Sequence, residues 1–351
     1  MAGEEWTALA DALAARRGCP GGVVLYPHEG MDGDALGTCL ALRRALADAD
    51  IPCRVAVAEA VPPRCRFLPD LDRLELHDRK HSGEWASFQA LALAVDCHGP
   101  ERLGPLAPLY RAAPIRCVLD HHVLPADGVL RDVDLAWVDP TAAAAGEMAF
   151  DLVLGLGERV GRDLLSPTTA ACLMAALVAD TGCFRFSNTT ARTLAVASRL
   201  LRFPLDLNDM AYRLFDQMSR PRLRLLGEAF RDAEFHLEGR VAMALVSGAL
   251  LDRCGAEEAD VDGLANSLRD VEGVVLACVL REREPGLVRC NLRSREGFDA
   301  SELARHFGGG GHRKAAGFSL HAGLEEARLQ VLSAIRSPDG TGGPGSGDGT
   351  P

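Results

Sequence analysis

No apolar stretch of this chain approaches the roughly 20 residues a helix needs to cross a bilayer. Its amino terminus, MAGEEWTALADALAARRG, carries Glu4 and Glu5 where a secretion signal would be basic. The expectation is a soluble, cytoplasmic protein with no membrane partner. Positive charge is also short, with 38 Lys and Arg against 49 Asp and Glu and a net charge of −11. Long DNA and RNA are held through many Lys and Arg contacts to phosphate, so long nucleic acid is excluded and a nucleotide partner is expected to be small. Pairs of the CxxC type are missing too, although eleven cysteines run from Cys19 to Cys290. That absence excludes zinc ribbons and thioredoxin-like redox sites, and leaves buried, reduced thiols suited to a reducing cytosol.

What is present is ample core material. With 351 residues, 48% of them hydrophobic, the chain suits two domains of ordinary size. From residue 20 to about 185, apolar runs of strand character alternate with stretches of helical period, the pattern of an α/β domain with a mostly parallel sheet. Helices are expected over 35–46, 146–160 and 168–179. Residues 190–230 have helical spacing, with Pro204 and Pro221 near helix starts, and read as a helical connector. Beyond it, strand candidates at 241–246, 273–280 and 287–292 alternate with helices near 259–269 and 300–306, a smaller α/β unit. The expected organisation is therefore a first domain over 1–189, a connector over 190–230 and a second domain over 231–336. Residues 337–351 are Gly, Pro, Ser, Thr and Asp without an apolar anchor, and are expected to be disordered.

Three apolar runs end at hard metal-ligand side chains. VVLYP (23–27) leads to His28, Asp32 and Asp34; LALAV (91–95) to Asp96; IRCVL (115–119) to Asp120, His121 and His122. Strand ends feeding loops are where doubly wound sheets place ligands, so the three are expected to form one site on strand-to-helix loops. Two carboxylates spaced as Asp32 and Asp34 more often cap a turn than bind metal. Joined to Asp96, the Asp-His-His run and Asp180, they would repel one another without cations. Carboxylate and imidazole donors without thiolate favour Mn²⁺ or Mg²⁺ over structural zinc. An Asp shared between two ions is what a two-metal hydrolase of phosphoesters uses.

These residues resemble the DHH phosphoesterases, which include RecJ-type exonucleases and the shorter NrnA-type enzymes acting on very short oligoribonucleotides and 3′-phosphoadenosine 5′-phosphate. Four motifs occur in order as HEGMDGDALG, AVDC, LDHH and VADTGCFRFSNT. VRCNLRS and FGGGGHRKAAGF then resemble the DHH-associated domain. The resemblance spans roughly residues 15 to 335. It implies that His28, Asp32 and Asp96 hold one Mn²⁺, and that Asp34, Asp96, His121 and Asp180 hold the other, with Mg²⁺ the alternative ion. It also implies that His122 faces the scissile phosphate and that Asp120 orients the histidine ligand from behind. Arg293, Gly309, Gly310, Gly311 and His312 would bind the far end of a short RNA or small nucleotide across a cleft between the domains. Glycines let backbone N–H groups approach a phosphate, and imidazole or guanidinium can bind its oxygens. Arg281 and Arg283 alternate with Glu282 and Glu284 and read instead as a solvated face.

The chain departs from the family pattern at Gly30-Met31, at Pro125 and at the alanines 142–145. None is an expected ligand. They are expected to line the cleft and to bear on substrate preference. Within the same class, a cyclic-di-AMP phosphodiesterase would use the same site. An inorganic pyrophosphatase would carry a different second domain, and a non-catalytic nucleotide sensor would have lost ligands that are all present here. A processive exonuclease would need further domains and a basic channel. Self-association into a homodimer is left open.

Overall fold

The computed structural model describes residues 2–77, 82–124 and 128–336; the expected disordered tail and Pro125 lie outside them. The chain divides into two units, Met1–Gln217 and Met218–Pro351, and the division falls within the helical stretch 190–230. That stretch contains the helices Ala191–Leu200, Leu207–Ala211 and Arg220–Arg231, with Pro221 in the first turn of the last. Among the described residues no helix is long and apolar enough to cross a membrane.

In the first unit, strands β1 (Gly22–Pro27), β2 (Cys53–Val57), β3 (Leu74–Leu76), β4 (Gln89–Val95), β5 (Ile115–Asp120) and β6 (Leu135–Val138) form one sheet in the order β3-β2-β1-β4-β5-β6. Every pairing is parallel. The runs that read as continuously apolar do so because both faces are covered. Val23, Leu25, Leu93 and Leu119 enter one core with the helices Gly33–Asp48, Ala145–Val160 and Pro167–Asp180. Val24, Tyr26, Ala94 and Val118 enter a second core on the opposite face. From β1 the chain builds outward through β2 and β3, then returns to start β4 on the other side of β1. The carboxyl ends of β1 and β4 thus flank the point where strand order reverses, the position at which such sheets bind ligands.

In the second unit, β7 (Glu234–His236), β8 (Val241–Val246), β9 (Leu276–Glu284), β10 (Leu287–Ser294), β11 (Gly310–His312) and β12 (Ala315–Leu320) form a mixed sheet in the order β11-β12-β10-β9-β8-β7. One face buries Met243, Cys278, Cys290, Leu292 and Phe318 with residues of the helices Ala300–His306 and Leu324–Arg336. The architecture is the expected α/β class in both units.

Arg281 departs from the solvated-face expectation. It is 8% exposed on β9, where its Nη1 donates to the carbonyl of Glu258 and its Nη2 lies 3.6 Å from the Glu258 carboxylate. Alternation along a strand selects a face but says nothing about what packs on it. Arg283, two residues on, is half-exposed and shares the same carboxylate. The cysteines are free, and all but Cys19, Cys53 and Cys183 are buried.

Candidate metal centre

Asp32 is the N-cap of the helix Gly33–Asp48, and its Oδ1 accepts the N–H groups of Asp34 and Ala35 at 3.0 and 3.1 Å. This fixes the turn after β1 and puts Asp34 in the first helical turn, fully buried. The Asp34 carboxylate accepts the N–H groups of Ala145 (2.6 Å) and Gly146 (2.9 Å) at the start of the helix Ala145–Val160, and the Thr38 hydroxyl at 3.1 Å. A helix amino terminus favours such an anion. The alanines 142–145 are therefore buried backbone supports for the site, where the sequence suggested residues lining a cleft. Met31 is likewise buried in the core, while Gly30 is exposed, its N–H on Glu59.

Asp96 follows β4 with φ 61°, in the left-handed region that Asp tolerates better than most side chains. Its N–H is tied to the carbonyl of Leu119 on β5 at 2.8 Å. The carboxylate is 3% exposed and divides its oxygens: Oδ2 lies 3.5 Å from Nε2 of His28, and Oδ1 lies 3.3 Å from Nε2 of His121 and 3.6 Å from Nδ1 of His122. His28 turns its Nδ1 to the carbonyl of Glu29 (2.9 Å), and His121 turns its Nδ1 to the carbonyl of Ala142 (3.3 Å). Both rings thus present Nε2 to the carboxylates, the orientation that backbone carbonyls impose on histidine ligands.

Asp180 joins the site from a helix end and not from a strand-to-helix loop, at the close of the helix expected over 168–179. It is the last residue of the helix Pro167–Asp180, with its Oδ2 3.1 Å from Nε2 of His121. A carboxylate at a helix carboxyl terminus opposes the helix dipole and calls for a cation. Asn188 links this helix end to the Ala142–Ala145 segment by donating to the carbonyls of Asp180 and Ala143. Asp120 also differs from expectation, since its carboxylate serves His122, at 2.8 Å from Nδ1, and not the proposed ligand His121. Sequence reasoning overlooked His98, whose Nδ1 lies 2.6 Å from Asp120 Oδ2. Its position two residues after Asp96 at a strand end was the available signal.

Three sets of donor atoms each lie within 4.8 Å: His28, Asp32 and Asp96; Asp34, His121 and Asp180; and Asp96, His121 and His122. The electrostatics are those of a site that lacks enough positive charge. Burial and then repulsion from Asp96 and Asp180 raise the carboxyls of Asp32 and Asp34, the latter strongly. Burial alone would lower His121, but the carboxylates of Asp180 and Asp96 beside it push it up to about 11. Burial alone would raise Asp96, yet the imidazoles of His121 and His28 hold it below its usual range. Asp96 Oδ1 and His121 Nε2 are buried without a hydrogen-bond partner. Oxygen and imidazole donors that converge without satisfying one another fit a divalent cation.

The expected substrate residues all lie in the second unit. Arg293 is on β10, half-buried, its Nε donating to Asn266 Oδ1 at 3.0 Å. Burial and then the nearby Arg269 lower its pKa, and it makes no ion pair among the described residues. Gly310, Gly311 and His312 form the exposed edge strand β11. His312 pairs with Ala315, which pairs in turn with Arg293, so side chains of the two residues share one sheet face two strands apart.

A parallel sheet with acids and imidazoles gathered at its reversal point defines a metal-assisted phosphoesterase architecture. Residues 22–177 match the DHH family N-terminal domain and residues 241–337 the DHHA1 domain, and the chain belongs to the DHH phosphoesterase family. It is 34% identical over 340 residues to the bifunctional oligoribonuclease and PAP phosphatase NrnA of Thermus thermophilus, covering 95% of this chain and 94% of that protein. The NrnA of Bacillus subtilis is 28% identical over 310 residues, covering 88% and 92%. Among solved structures, an exopolyphosphatase-related protein from Bacteroides fragilis superposes with a TM-score of 0.81 at 24% identity, over 93% of this chain and 96% of that one. The exonuclease RecJ bound to manganese gives 0.53 at 17% identity, over 96% of each chain. These two likenesses concern the fold.

Proposed function

We propose that this chain is a cytoplasmic, Mn²⁺-dependent two-metal phosphoesterase that hydrolyses very short oligoribonucleotides, such as pApA, and 3′-phosphoadenosine 5′-phosphate to mononucleotides. His28, Asp32 and Asp96 would hold one ion, and Asp34, Asp96, His121 and Asp180 the other. The observation that carries this reading is Asp96, a buried carboxylate whose two oxygens face different imidazoles, Oδ2 that of His28 and Oδ1 that of His121, the posture of an acid shared between two cations. Bound there, the ions would polarise the phosphoryl group and supply a nucleophilic water near neutral pH. His122 is half-exposed, with Nδ1 held by Asp120, so its Nε2 is free to contact the scissile phosphate or protonate the leaving oxygen.

Residues 1–189 would carry catalysis, 190–230 the connection and 231–336 substrate binding. Arg293 supports that division as a half-buried guanidinium with no ion pair among the described residues, so it suits a substrate phosphate, with Gly310, Gly311 and His312 on the edge strand two strands away and Gly309 just before it. The names of the NrnA relatives support the substrate class, and the manganese in the RecJ structure supports the metal.

The test is turnover with Mn²⁺ across pAp, pApA, cyclic di-AMP and RNAs of increasing length. Fast turnover of pAp and dinucleotides is expected, falling with length. Preference for cyclic di-AMP would reassign the enzyme to cyclic-dinucleotide signalling, and no turnover of any of them would end the proposal. Arg293→Ala is expected to raise KM more than it lowers kcat, and an unchanged KM would remove Arg293 from the site.

A further inference from the structure

We propose that His98 is a positioning residue for this hydrolysis, fixing the carboxylate of Asp120 so that Asp120 in turn aims His122. The inference rests on the reading of the site given above. Asp120 ends β5, is fully buried, and divides its two oxygens between imidazoles carried by two different strand ends. Oδ1 lies 2.8 Å from Nδ1 of His122 and accepts that residue's backbone N–H at 3.2 Å. Oδ2 lies 2.6 Å from Nδ1 of His98, a close polar contact without the angle of a hydrogen bond, and both atoms are buried with no hydrogen-bond partner among the described residues, so each is the other's polar neighbour. His98 follows Asp96 by two residues at the end of β4, the strand beside β5, and its ring meets that of His122 edge to face at 6.0 Å between centroids. His98 belongs to none of the three donor sets that could hold an ion.

The physical consequence follows from burial. A carboxylate out of water needs partners for both oxygens, and losing one leaves a costly unpaired acceptor. With the His98 ring packed 2.6 Å from Oδ2, Asp120 is held in one orientation and His122 inherits it. Without His98, Oδ2 loses its close polar neighbour and the space that ring fills, Asp120 is free to turn, and the His122 ring loses its fixed direction. Catalytic geometry tolerates about half an ångström of such drift. The loss therefore falls on the chemical step, while substrate binding elsewhere persists.

The experiment uses the full chain loaded with Mn²⁺ and the best substrate of the panel above. His98→Ala is expected to lower kcat about tenfold or more with KM within about twofold, the scale seen when an outer partner of a site is lost. His98→Asn is expected to recover most of that loss, because its side-chain amide nitrogen can take the place of Nδ1. In an Asp120→Asn background, His98→Ala is expected to add nothing, since His98 acts through Asp120. Calorimetric titration is expected to show the wild-type Mn²⁺ stoichiometry and affinity in both single His98 variants. Wild-type kcat in His98→Ala, equal impairment in His98→Asn, additive losses in the double variant, or loss of Mn²⁺ binding would each overturn the proposal. A wild-type chain that turns over no substrate would instead overturn the reading of the site, and this inference with it.

Discussion

Asp96 is held in a left-handed conformation between two imidazoles, and its neutral isostere tests the centre most directly. Asp96→Asn keeps the shape and removes the charge. It is expected to weaken Mn²⁺ binding beyond the roughly 10–100-fold typical of an outer partner, as read by calorimetry. Undiminished affinity would take Asp96 out of the centre. Protonation gives a second prediction at this scale. Asp32 and Asp34 are shifted upward and His121 is pushed up to about 11, so the metal-free site holds protons that a cation must displace. Mn²⁺ uptake is expected to release protons, and affinity to rise as the pH rises through neutrality, because the competing protons leave. Titration in buffers of different ionisation heat measures this, and zero proton release would mean that these groups are not the ligands. The ligand-capable residues other than Asp180 were legible in the sequence because each follows an apolar strand run. His98 was not, because its meaning depends on Asp120, a partner at the end of the next strand.

Among the elements, β11 separates two uses of glycine that the run 308–311 conceals. A Cβ on Gly311, whose φ is +139°, would lie 2.5 Å from the carbonyl oxygen of Ala315, and one on Gly309 would lie 2.3 Å from that of Gly317. Both approaches are to backbone and cannot be relieved by a side-chain rotation. Gly309→Ala and Gly311→Ala are expected to lower Tm by several degrees, at a cost of about 1–3 kcal/mol each. Gly310 faces open space. Gly310→Ala is expected to leave Tm within about a degree of wild type and to raise KM if substrate lies along this strand edge. Thermal melts and steady-state kinetics on the three variants separate the roles, and equal Tm losses in all three would refute the separation. The box was legible as a phosphate-binding candidate; that Gly309 and Gly311 lie too close to the backbone of β12 for a side chain was not, since that strand comes later in the chain.

For the whole molecule, the candidate ligands all fall within Met1–Gln217, and each unit has its own core. A cation that binds only the folded first unit stabilises it by mass action. Differential scanning calorimetry of chelator-treated protein is expected to show two transitions, of which Mn²⁺ raises one and leaves the other in place. A single transition moving as a whole would show that the units unfold together. By itself the sequence determined the α/β class, because strands covered on both faces must be continuously apolar, and it determined the ligand types, because acids and imidazoles at buried strand ends have few other uses. Only the tertiary structure decided which carboxylate serves which imidazole, that the alanines 142–145 are buried supports and that Arg281 is covered. Those outcomes depend on packing between residues far apart in the chain, and no local period or spacing encodes it.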